Sequence, residues 1–125
     1  MASYAEFQER WEEEAGKERE HYDSLPITDL LEDIRQRKFG EYYQIWYSLK
    51  GRAKLEEVGW SLYDFLQSGE DYLFRYHCAA ALIAIAGLDA KGYRPEHLSA
   101  RPAHPVDERL REVNEFLESR LGKRD

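Results

Sequence analysis

The residues most able to do chemistry cluster in one apolar stretch. Arg75, His77 and Cys78 stand in the run DYLFRYHCAAALIAIA, and a thiol beside an imidazole suggests nucleophilic chemistry. Adjacent helical residues diverge by about 100°, so His77 and Cys78 cannot pair with each other. The expected reading is structural. Cys78 packs in the core, His77 is hydrogen-bonded, and Arg75 bridges to an acid at a helix end, so Arg75 and His77 form a polar core and no catalytic residue is assigned. Glu18 and His21 make a Glu-x-x-His pair, half of a di-iron set, but a second such pair is absent from the sequence. His97 and His104 lack partners at zinc-ligand spacing. There is no phosphate-cradling Gly-rich loop, nucleophile elbow or kinase-type motif. With 25 acidic residues, chance carboxylate pairs carry no weight. Neither metal nor cofactor is expected. A small enzyme or metal site near His77 stands only as an alternative.

Recognition residues are better represented. Tyr43, Tyr47 and Trp60 fall outside the main apolar stripes of their segments, and aromatic residues so placed serve as interface anchors. Residues 35–54 carry Arg35, Arg37, Lys38, Lys50, Arg52 and Lys54 against Glu41 alone, a local +5. Aromatics interleaved with cations suit protein contacts, and also suit stacked bases and phosphates. The chain's net charge of −7 weighs against nucleic acid.

The remaining composition bounds these readings. The chain has 125 residues, one domain's worth, and aromatics make up 14% of it, so it can bury a core. One Cys excludes a disulfide framework and a Cys-rich zinc module. The opening MASYAEFQERWEEE has no basic segment followed by an apolar one, so no signal peptide is expected. The longest apolar run, nine residues at 78–86, falls short of the about 20 that span a membrane. A cytoplasmic location with no membrane contact is the expectation.

Six helices account for the patterning. Helix 3–23 opens with Ser3 and Glu6 at capping-box spacing and aligns Tyr4, Phe7, Trp11, Ala15 and Tyr22 in one stripe expected to hold it in place. It contains eight acids and three bases, so it carries most of the acidity. Gly16 weakens it by roughly 1 kcal/mol. A helix over 28–38, with Thr28 as N-cap, presents Ile27, Leu30, Leu31 and Ile34, and Gly40 closes the connection after it. Helix 41–50 presents Tyr42, Ile45, Trp46 and Leu49, and Gly51 stops it. Helix 54–68 aligns Leu55, Val58, Leu62, Phe65 and Leu66. Helix 71–86 is apolar nearly all round and is expected at the centre, closed by Gly87. Residues 88–105 form a long loop with one helical turn near Pro95–Ser99. Helix 106–121 aligns Val106, Leu110, Val113, Leu117 and Leu121. Period-2 alternation is absent, so the fold is all-α, a single helical domain over 1–125.

Residues 58–87 join an amphipathic helix, the turn Ser68-Gly69-Glu70-Asp71, Phe74-Arg75, Ala81-Leu82, Ile85 and Gly87. In this order they resemble the second half of a HEAT-like helical repeat. The resemblance covers about 30 of 125 residues. Tyr72 stands where the family often has Pro, and no second copy of the repeat is visible. Within the 41–87 core it implies stacked helix pairs, or an irregular bundle containing one such pair, and a macromolecular partner. The leading reading is a non-enzymatic protein-binding module with contacts at Tyr43, Tyr47 and Trp60 and a rim of Arg52 and Lys54. Self-association into a homodimer is a variant of it. Binding of nucleic acid or an anionic ligand through 35–54 is the alternative.

Overall fold

The computed structural model describes residues 3–68, 71–99 and 104–124, and every regular element among them is helical. The order is α1 (Tyr4–Asp23), α2 (Ile27–Arg35), α3 (Gln44–Arg52), α4 (Leu55–Ser68), α5 (Tyr72–Ala86), a 3-10 turn (Leu88–Lys91), α6 (Pro95–Ser99) and α7 (His104–Leu121). The all-α expectation holds. Contacts divide the chain into two compact units, Met1–Arg52 and Ala53–Asp125.

In the first unit α1 and α2 both pack on α3. The Ser3 hydroxyl accepts the Glu6 N–H at 3.2 Å and caps α1. Ala15, Tyr22, Leu30, Ile34, Ile45, Trp46 and Leu49 are buried, and Phe39 lies 5.8 Å from Trp46 between ring centroids. The α1 stripe does not hold the helix along its whole length. Ala15 and Tyr22 are buried, but Tyr4, Phe7 and Trp11 are exposed. Length explains this. At about 1.5 Å per residue, the 20 residues of α1 run far past the nine-residue α2 and α3.

α2 starts one residue before Thr28, with Pro26 at the N-cap position, and ends at Arg35 rather than at Lys38. Its stop is a Schellman closure. Arg37 takes the left-handed conformation (φ 64°), its N–H bonds the Ile34 carbonyl at 3.0 Å, and the Lys38 N–H bonds the Asp33 carbonyl at 2.8 Å. Gly40 (φ 74°) is needed further on, where a Cβ would strike the Glu18 carboxylate. α3 begins at Gln44 rather than Glu41, because residues 41 and 42 are held out of the helix by that same carboxylate. It runs through Gly51 to Arg52, whose side chain is anchored and carries the last turn with it.

In the second unit α5 packs on α4 and α6, while α7 packs on α4 and α6. The core is built from Val58, Leu62, Leu66, Cys78, Ala79, Ala81, Leu82, Leu88, Leu98, Val113 and Leu117, all fully enclosed. Asp71 caps α5 by accepting the Phe74 N–H, and Gly87 (φ 72°) closes it. Although apolar nearly all round, α5 leaves Tyr72 and Leu73 at its start half exposed. Gly59 lets α7 come close to α4, since a Cβ there would lie 3.0 Å from a Leu121 methyl. The 88–105 stretch carries the 3-10 turn and α6, and α7 starts at His104, two residues before the expected Val106. The side chains of His104 and Val106, and residues 100–103, lie outside the described residues.

Candidate functional site

The first unit presents the largest concentration of uncovered aromatic surface. Among the described residues seven large apolar side chains are exposed, and five belong to this unit: Tyr4 (79%), Phe7 (62%), Trp11 (44%), Tyr43 (48%) and Tyr47 (51%). On α1, positions 4, 7 and 11 share one helix face, and with Gln8 they line a shallow hollow. No residue from 3 to 14 is buried. Trp11 touches the body of the unit edge-on, its ring centroid 5.7 Å from that of Tyr42.

Glu18 sets where this face meets α3. One of its oxygens accepts the Glu41 N–H at 2.7 Å, and the other accepts those of Tyr42 and Gln44 at 3.0 and 3.1 Å. Amides left without intrahelical partners at the α3 entry are thereby satisfied by a residue 23 to 26 positions earlier. The carboxylate of Glu18, the acid of the Glu-x-x-His pair, is thus engaged by backbone N–H groups. Among the described residues no group of three or more His, Cys, Asp or Glu could hold a metal ion. Burial, with Glu18 and Asp33 nearby, raises the Tyr22 phenol above its ordinary range.

Tyr43 precedes α3 with a left-handed backbone (φ 60°), a conformation that costs a non-glycine residue roughly 1–2 kcal/mol. Tyr47 faces outward one turn into α3, with the Lys50 ammonium 4.8 Å above its ring. Burial lowers the Lys50 pKa. Much of the basic stretch is committed locally. Arg35 pairs with Glu32, and Arg52 donates to the Tyr22 and Leu25 carbonyls at 2.9 Å each and lies 3.6 Å from Asp23. Arg52 therefore ties the end of α1 to the end of α3. Asp23 also accepts the Ser48 hydroxyl at 2.6 Å and the Arg19 guanidinium at 3.0 Å. The Ser48 bond first, then Arg19 and Arg52, hold the Asp23 carboxyl below its ordinary pKa.

Trp60 belongs to the second unit. It is half-buried, meets Tyr63 edge-on at 5.9 Å, and carries the Arg124 guanidinium 4.1 Å above its ring. Arg124 in turn pairs with Asp64 at 2.7 Å. The Lys54 backbone N–H donates to Glu57 at 2.9 Å, which helps start α4. The polar core sits deeper. Arg75 is 6% exposed and donates from Nε to the Ser99 carbonyl at 2.8 Å, joining α5 to α6. His77 is half-buried with Tyr76 edge-on beside it at 6.0 Å, and Cys78 is fully enclosed. His97 accepts the Arg94 N–H at Nδ1.

The residues that sequence reasoning passed over are Tyr4, Phe7 and Trp11, because a helical aromatic stripe is ordinarily core. The signal was the length of helix 3–23, which exceeds that of any neighbour before residue 54. Compared with protein-family models, curated proteins and solved structures, the chain gives no match.

Proposed function

We propose that the chain is a non-enzymatic, cytoplasmic protein-binding helical module, and that its contact surface lies on the first unit. The exposed aromatic face of α1 carries the proposal. Tyr4, Phe7 and Trp11 form a stripe continuous with the buried Ala15 and Tyr22, so the face that packs inside the unit continues uncovered beyond it. Tyr43 and Tyr47 add exposed ring surface from the start of α3. Aromatic side chains give large contact area at small entropic cost, which suits them to anchor protein partners. Arg52 belongs to this surface as a supporting residue, and Trp60 and Lys54 are proposed contact residues of the second unit, taken by itself. The HEAT-like reading of 58–87 is also part of it. Supporting that reading are the packing of α5 on α4, the Asp71 cap and the burial of Arg75. No helix among the described residues is long and apolar enough to cross a membrane.

A photo-reactive phenylalanine analogue placed at position 7 or 47, in the native cell, tests the proposal. Light-dependent covalent adducts with a polypeptide are expected at both positions and not at exposed Glu115 in the second unit. Adduct yields no higher than at Glu115 would overturn it.

A further inference from the structure

The first unit carries two exposed aromatic surfaces of opposite charge. Residues 4–14, the uncovered half of α1, hold five Glu against one Arg. Residues 35–52 hold five cations against Glu41 and expose Tyr43 and Tyr47. Two complementary patches on one molecule meet the requirement of a two-fold interface, in which patch i of each copy contacts patch j of the other. We propose that the partner on this surface is a second copy of the chain, joined reciprocally, with residues 4–14 of each α1 lying on the Tyr43–Tyr47–Lys50 surface of the other copy. The inference rests on the protein-binding reading of the first unit and names the occupant.

Area and charge favour this arrangement over the simpler pairing of α1 with α1. At roughly 200 Å² per aromatic side chain, the exposed parts of Tyr4, Phe7 and Trp11 amount to about 370 Å². That is under half of the roughly 800 Å² per partner of a stable interface. Pairing α1 with α1 would also set two strongly acidic helices side by side. The reciprocal arrangement adds about 200 Å² from Tyr43 and Tyr47 on the same ring estimate and places Glu against Lys. The stems of flanking Glu, Gln and Lys side chains supply the balance. Glu12 and Glu14 border the aromatic stripe on its two sides. Arg35 is ion-paired with Glu32 and Arg52 lies by Asp23, whereas Lys50 stands over the exposed Tyr47 ring and Lys38 is exposed, so these two are the cations assigned to face them.

Sedimentation equilibrium of the full chain over a wide concentration range decides the matter. The average mass should rise toward twice that of the monomer at low salt and fall back at high salt, because exposed charge pairs are screened. Phe7→Ser/Trp11→Ser should raise the dissociation constant at least about tenfold, the weight of one interface anchor. Glu12→Lys/Glu14→Lys and Lys38→Glu/Lys50→Glu should each weaken the dimer, and the four changes together should restore it. All these positions are exposed or half-buried, and circular dichroism checks that each variant folds. A chain that stays monomeric at every concentration, or a dimer indifferent to both charge reversals, overturns the proposal. In that event crosslinks from position 7 to a different polypeptide would still uphold the protein-binding reading, whereas their absence would remove both.

Discussion

Glu18 does at the scale of a residue what a helix cap does for an element. Its two oxygens take three backbone N–H groups at the entry to α3, so the start of that helix depends on a side chain from α1. Replacing the carboxylate with an amide keeps the shape, removes the charge and turns one acceptor into a donor aimed at an N–H. Hydrogen bonds to charged groups contribute about 1.5–3 kcal/mol each, and Glu18→Gln spoils at least one. The variant should lose about 2–3 kcal/mol of stability on that scale, read as a lower urea midpoint with an unchanged slope. Lengthening the chain at the opposing position tests the same contact from the other side. Gly40→Ala puts a methyl group into the Glu18 carboxylate and a side chain onto a backbone at φ 74°, so it should be at least as damaging.

At the scale of elements two glycines inside helices make opposite demands. A methyl group at Gly16 would meet no other part of the chain within 4 Å beyond the backbone of its own helix, so Gly16→Ala in α1 should stabilise by up to about 1 kcal/mol through helix propensity alone. Gly59 sits where α7 crosses α4, with methyls of Leu121, Leu55 and Leu117 at 3.0, 3.1 and 3.3 Å from a built Cβ. Gly59→Leu should cost about 1–3 kcal/mol by overpacking, and thermal melts of the two variants should therefore move in opposite directions. Only the first glycine's part was readable in the sequence. The helical class was readable as well, since 3.6-residue periodicity in 54–68 and 106–121 reports packing that is local to each helix. The stops of α2 and α3 were not, because Arg37 takes a conformation expected of glycine and Arg52 holds the last turn of α3 past Gly51. Nor was the exposed face of α1. The stripe from Tyr4 to Tyr22 is uniform in sequence, and what divides it is the reach of neighbouring helices, a fact of tertiary structure.

Across the whole molecule, charge is distributed so that acid should act on one unit before the other. Among the described residues two carboxylates are held below their ordinary pKa, and both lie in the first unit. Asp23 is lowered chiefly by the Ser48 hydroxyl, and Glu32 is lowered to about 2 by Arg35 and Gln36. A carboxylate whose folded pKa is depressed contributes stability that is complete above its unfolded pKa and fades as pH falls toward the folded value. Both contributions are therefore present near neutrality and begin to fade below about pH 4, the unfolded carboxylate range, that of Glu32 being lost only as pH approaches about 2. Amide exchange protection, corrected for intrinsic rates, should fall in α3 on acidification while α5 keeps more of its own. Ser48→Ala removes the first cause of the Asp23 shift, so it should lower stability at pH 7 and shrink the acid-induced loss in α3. Equal loss of protection in α3 and α5 would show that acid acts through the general accumulation of positive charge, and that the Asp23 cluster joining α1 to α3 has no special part in it.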